Sequence, residues 1–139
     1  MRNVSTLIIY HSKTGNNRKS ADVTAKTLDA DVMELDNDGS PTGTADLTSY
    51  SRVVFCFPVW AFSPCSPVKK FLKRSNLKGK KAAAVTICGG HPWRSGKVMK
   101  NLIEKCDGTF LGFASIKQSG DQDLDAREAA KKAMELLSA

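Results

Sequence analysis

The sequence predicts an α/β fold: a doubly wound, mostly parallel five-stranded sheet with helices on both faces. Three observations predict it. Short apolar runs alternate with helix-like segments down the whole chain, the pattern of strands joined by right-handed helical crossovers. The runs Val53-Val54-Phe55-Cys56-Phe57 and Ala83-Ala84-Val85-Thr86-Ile87 are almost continuously apolar, as a strand covered on both faces requires. The first run ends in Ser12-Lys13-Thr14-Gly15-Asn16-Asn17 and then opens a helical pattern, a strand-to-helix turn of small hydroxyl and amide residues.

Taken in order, strands are expected over residues 4–10, 32–35, 52–57, 82–88 and 109–116, each short and rich in Val, Ile, Leu, Ala or Phe. Helices are expected between them over residues 17–28, 68–74, 96–105 and 126–137. The one long irregular connection, residues 36–50, contains Gly39, Pro41 and Gly43 and reads as a surface loop with a short helix near residues 46–50. With 139 residues, the chain is long enough for one domain, residues 1–139, with a substantial core.

Composition narrows the class. Hydrophobic residues at 41% and charged residues at 25% are those of a soluble globular protein. No apolar stretch is long enough to span a bilayer and no secretory leader is evident, so the expected location is the cytoplasm, with no membrane partner. Cys56, Cys65, Cys88 and Cys106 form no Cys-x-x-Cys pair, and His11 and His91 do not stand at metal-ligand spacing from them. No metal site or disulfide framework is expected.

The formal charge is +7, from 21 Lys and Arg against 14 Asp and Glu. A loose basic cluster runs from Lys69 to Lys81 with a single aromatic residue, Phe71, too few to offer successive stacking platforms to bases. It reads first as a solvated face and second as a docking surface for an acidic partner; nucleic acid is not expected.

In an open parallel sheet, ligands bind beyond the carboxyl ends of the strands where the strand order reverses. The loops after the first, third and fourth strands should therefore converge. They hold both histidines and both tryptophans of the chain: His11 to Asn17, Pro58-Val59-Trp60-Ala61-Phe62, and Cys88-Gly89-Gly90-His91-Pro92-Trp93. Backbone N–H groups and the positive end of the opening helix make the first of these loops a phosphate site. The tryptophans stand where an indole can lie against a flat ligand. No catalytic role falls to either histidine.

The chain resembles the flavodoxins and the wider flavodoxin-like family. Ser12-Lys13-Thr14-Gly15-Asn16-Asn17 is similar to the family's phosphate loop, with Asn17 in place of its final Thr; Pro58-Val59-Trp60 resembles its second loop, and Gly89-Gly90 its third. The resemblance implies a three-layer α/β/α sandwich with strand order 2-1-3-4-5 and FMN as cofactor. Lys13 to Asn17, with the Ser12 and Thr14 hydroxyls, then hold the phosphate. Trp60 stacks on the ring, and Gly89 and Gly90 admit backbone to its edge, with His11, Val59, Ala61, Phe62, Cys88, His91 and Trp93 nearby. It also implies electron transfer with a redox partner protein, and an electron carrier rather than a turnover enzyme.

The chain departs from the acidic electron carriers of the family in its basic charge and in offering Trp93 and Arg94 in the third loop. A cation about 7 Å from the charge on reduced flavin contributes roughly 2 kcal/mol at an effective dielectric of about 20, on the order of 100 mV for one electron before screening. Arg94 should therefore make the second reduction step less negative.

Three other readings compete. Cys88 and Arg94, five residues apart and followed by Ser95, match the spacing of a cysteine phosphatase, although Pro92 removes an N–H from the loop that would cradle the phosphoryl group. A small FMN-dependent NAD(P)H or quinone reductase shares every feature of the carrier, and an FMN-free binding module of the same shape shares the fold. Gly90 to Lys97 fails as a nucleotide-triphosphate loop, and no Gly-x-Gly-x-x-Gly occurs for a dinucleotide.

Overall fold

A computed structural model describes residues 5–11, 16–43, 47–60, 63–92 and 94–138. In chain order its elements are β1 (Thr6–Tyr10), α1 (Asn16–Leu28), β2 (Asp31–Glu34), a 3-10 turn (Leu47–Ser49), β3 (Arg52–Phe57), β4 (Val59–Trp60), β5 (Ser63–Pro64), α2 (Ser66–Lys73), β6 (Lys81–Cys88), α3 (Ser95–Lys105), β7 (Thr109–Lys117) and α4 (Gln122–Leu137). Five strands form one parallel sheet in the order β2-β1-β3-β6-β7. Counting only these sheet strands, that is the order 2-1-3-4-5 which the resemblance implies.

Strand alternation divides the core in two. Leu7, Ile9, Val53, Phe55, Phe57, Ala82 and Ala84 face α2 and α3 and pack with Val68, Phe71, Leu72, Met99 and Ile103. Ile8, Tyr10, Val54, Cys56, Ala83, Val85 and Ile87 face α1 and α4 and meet Ala21, Ala25, Ala129 and Ala133. The alanines on this second face let α1 and α4 lie close to the sheet and to each other. Burial on both faces is why the central strands carry no polar alternation.

The structure adds features that periodicity cannot show. Residues expected as an irregular loop after β3 fold into a two-stranded antiparallel ribbon, Val59 opposite Pro64 and Trp60 opposite Ser63. Trp60 therefore lies on a strand rather than in a loop. The helix expected from residue 126 begins a turn earlier, at Gln122, because the Asp121 carboxylate accepts from the backbone N–H groups of Asp123 and Leu124. The 36–50 connection folds back on α2. Gly39 is needed there, with φ of 78° and a position at which a Cβ would stand 2.4 Å from the Pro67 carbonyl oxygen. No helix among the described residues is long and apolar enough to cross a membrane.

Candidate functional site

The register brings three strand ends to one level. Tyr10 at the end of β1 stands opposite Cys56, Phe57 at the end of β3 opposite Thr86, and β6 runs on to Cys88. The chain leaves β1 for β2 on one side and β3 for β6 on the other, so the order reverses between β1 and β3, the point at which an open parallel sheet forms its ligand crevice. Ser12, Lys13, Thr14 and Gly15, together with Ala61, Phe62 and Trp93, lie outside the described residues. The others can be placed.

Helix α1 opens at Asn16 above the crevice, and its first turn contains no acidic residue. Arg18 and Lys19 stand there instead. The Lys19 amine pairs with the Asp123 carboxylate of α4, and the positive helix end still favours an anion at its first N–H groups. Helices α2 and α3 likewise carry no acid in the first turn; α4 alone has an acidic start, with Asp121 as its cap and Asp123 and Asp125 in the first turn. Gly15, the residue before α1, has no side chain with which to do the same.

Asn17 is committed elsewhere by its side chain. It is buried, its Oδ1 accepts from Ile87 N–H at 3.2 Å, and its Nδ2 donates to the Ile87 carbonyl oxygen at 3.4 Å. Strand β3 ends opposite Thr86, so Ile87, one residue further, lacks a strand on that side. The Asn17 amide supplies both hydrogen-bonding partners and thereby ties the start of α1 to the end of β6. Its backbone N–H remains one of the first-turn donors of the helix.

His11 is buried and its Nδ1 lies 2.9 Å from the Leu35 carbonyl oxygen. A carbonyl only accepts, so Nδ1 carries the proton, and the ring braces the exit of β1 against the exit of β2. Pro58 closes the base of the ribbon by accepting from Cys65 N–H at 3.0 Å; Val59 and Trp60 follow it in β4.

In the third loop, Gly89, Gly90 and His91 are exposed. Neither glycine has positive φ. A Cβ on Gly90 would meet nothing within 4 Å, and one on Gly89 would meet only the end of the Gln118 side chain, at 3.2 Å. The fold itself does not require glycine at either position. What glycine does provide there is clearance beside the crevice.

Thiol chemistry is poorly served. Burial pushes the Cys56 thiol up to about 12 and the Cys65 thiol up to about 11. Cys88 is 8% exposed, and its Sγ donates to the Gly90 carbonyl oxygen at 3.2 Å and lies 3.5 Å from the Ser115 hydroxyl. A phosphatase loop must instead turn N–H groups toward the sulfur, so the geometry runs against the Cys88 and Arg94 reading. Arg94 is exposed and forms the N-cap position of α3.

Sequence reasoning missed the Asn17 bridge to Ile87 and the bracing role of His11. Both are contacts between residues far apart in the chain, and only the strand order could have revealed them.

Comparison with known proteins agrees with this layout. A family model described as a flavodoxin domain matches residues 7–120. No curated protein matches. Among solved structures, the oxidised flavodoxin 2 of Bacillus cereus superposes with a TM-score of 0.74 at 17% identity, over 97% of this chain and 99% of that one. The WrbA-like flavodoxin of Agrobacterium tumefaciens gives 0.72 at 18%, over 96% and 97%. A flavoprotein of Lactobacillus acidophilus, solved in complex with FMN, gives 0.66 at 18%, over 81% and 93%. The matched span and the strand order agree: this chain belongs to the flavodoxin domain family.

Proposed function

We propose that this chain binds FMN in the crevice above β1, β3 and β6 and works as an electron carrier. The observation that carries the reading is the start of α1, where a helix end without any first-turn acid meets the strand-order reversal. A flavin phosphate supplies the missing anion. The first-turn N–H groups up to Asn17, and the Ser12 and Thr14 hydroxyls, would hold it through charge-assisted hydrogen bonds.

The open space at Gly90 fits a ring edge approaching the backbone. Trp60, on the ribbon next to β3, is the residue proposed to stack on the ring. When bound, FMN supplies one- and two-electron chemistry. The protein positions it, excludes water from it and sets the charge around it. Among the described residues, His11 and Asn17 spend their side chains bracing the strand ends and the Cys88 thiol donates to the Gly90 carbonyl oxygen, which supports a carrier over a reductase. The family match and the FMN complex of the Lactobacillus acidophilus relative support the same reading.

The test is the absorption spectrum of the purified protein, followed by titration with FMN. A yellow protein, or a colourless one that takes up one FMN per chain with quenching of flavin fluorescence, is expected. A colourless protein that leaves added FMN unchanged would overturn the proposal.

A further inference from the structure

The net charge of this protein is concentrated in one stretch of the chain. Eleven of the 21 Lys and Arg but one of the 14 Asp and Glu fall between residues 58 and 106, so this span carries a formal +10 and the rest of the chain −3. That span contains α2, β6 and α3, and α2 and α3 pack side by side on the same face of the sheet. These two helices hold six cations and one acid, whereas α1 and α4 on the opposite face hold six cations and five acids. The ion pairs Lys19–Asp123 and Lys132–Glu135 lie on that opposite face.

The basic face is not merely basic in sequence. Lys70, Lys73, Lys97, Lys100 and Arg94 are exposed. Lys70, Lys73 and Arg74 border a groove of about 540 Å³ in which Asp38 is the one carboxylate among the described residues. The Arg74 guanidinium is fixed at its rim, donating to the Asp38 carbonyl oxygen at 2.7 Å and the Lys70 carbonyl oxygen at 3.2 Å. The face also touches the crevice. Helix α2 starts directly after the β4–β5 ribbon, and α3 directly after the loop containing Gly89 and Gly90.

We infer that the α2/α3 face is the docking surface for an acidic redox protein, whose carboxylates seat among these lysines and whose redox centre is brought against the ring loops. The inference rests on the electron-carrier reading above. Charge complementarity selects the partner. A face with six helix cations against one acid attracts a carboxylate-rich surface over a Debye length of about 8 Å at physiological salt, and steering of this kind raises encounter rates by roughly 10- to 1,000-fold. Phe71, the aromatic residue among the α2 lysines, is buried in the core and offers no stacking platform for a single-stranded nucleic acid.

Carbodiimide coupling joins a lysine amine to a carboxylate in direct contact, so it reports docking whether or not flavin is bound. The chain is coupled to a small acidic iron–sulfur ferredoxin, and the joined lysines are mapped by mass spectrometry. Electron transfer between the reduced ferredoxin and the FMN-loaded chain is followed by stopped flow. Coupling through Lys70, Lys73, Lys97 and Lys100 is expected, together with a second-order rate that falls about tenfold or more between low and high salt.

The paired reversal Lys70→Glu with Lys97→Glu should lower the low-salt rate by a similar factor, while Lys131→Glu with Lys132→Glu on α4 leaves it within about twofold. Coupling spread equally onto Lys131 and Lys132, a rate indifferent to salt, or firmer retention by an RNA 20-mer or phosphatidylserine vesicles than by the ferredoxin would overturn the inference. A colourless chain that still couples through the α2/α3 lysines defeats the electron-carrier reading while the docking face stands.

Discussion

Replacing Asn17 by Ala removes the one side chain among the described residues that hydrogen-bonds from the start of α1 to the backbone of β6. Two buried groups of Ile87, an N–H and a carbonyl, then lose the partners described above at 3.2 and 3.4 Å. Ile87 is 2% exposed, so water does not replace them. Each unsatisfied buried group costs about 1–3 kcal/mol, which makes the expected loss about 2–5 kcal/mol against a typical total of roughly 5–15 kcal/mol. That corresponds to a fall in Tm of roughly 6–15 °C for a chain of this size.

The assay is urea unfolding of flavin-free protein, which keeps ligand linkage out of the comparison. Hydrogen exchange at the Ile87 amide should quicken in parallel. Asn17→Asp sharpens the test. At neutral pH it sets a carboxylate against the Ile87 carbonyl, but once protonated it donates to that oxygen. Its folded-state pKa is thereby raised, and the stability it recovers is present below about pH 4 and lost as pH rises through the raised value. A loss under about 0.5 kcal/mol for Asn17→Ala would refute the bridging role of this side chain.

Other perturbations separate fold from ligand. Gly90→Leu should leave stability within about 0.5 kcal/mol, because its Cβ meets open space at ordinary φ, yet weaken FMN binding at least tenfold in a fluorescence titration. Loss of stability with unchanged affinity would reverse that assignment. The buried Cys56 thiol, raised from 9.0 to about 12, stabilises the native state fully below pH 9, and that contribution is lost as pH rises toward 12. The unfolding free energy from urea titrations should therefore fall by about 1.4 kcal/mol per pH unit above 9, and Cys56→Ala should flatten the slope. Arg94→Ala should move the second flavin reduction step to a more negative potential by up to about 100 mV in a potentiometric titration; unmoved potentials would remove Arg94 from the cofactor's surroundings.

Much of this architecture was legible because burial on both faces writes itself into the sequence. Val53 to Phe57 and Ala82 to Cys88 could be little else than central strands, and their observed limits differ from the expected ones by a residue or less. The three convergent loops followed from the same alternation. Less legible were features set by single side chains or by distant partners. The β4–β5 ribbon has strands of two residues, too short for any period to show. The first turn of α4 is polar, and only the Asp121 cap marks its start. Strand β7 is a half-buried edge with a register shift opposite Ala82 and Ala83, where Gly112 has φ of 148°. The phosphate loop was visible as a motif, whereas Asn17 looked like one more polar residue of that loop and not like a brace to Ile87.

The grip on phosphate by the start of α1 is tested most directly by comparing FMN with riboflavin, which shares the ring and lacks the phosphate. Two or more charge-assisted hydrogen bonds at about 1.5–3 kcal/mol each predict calorimetric binding at least about 100-fold tighter for FMN. Equal affinity for the two, or none for either, would contradict an anion site at the opening of this helix.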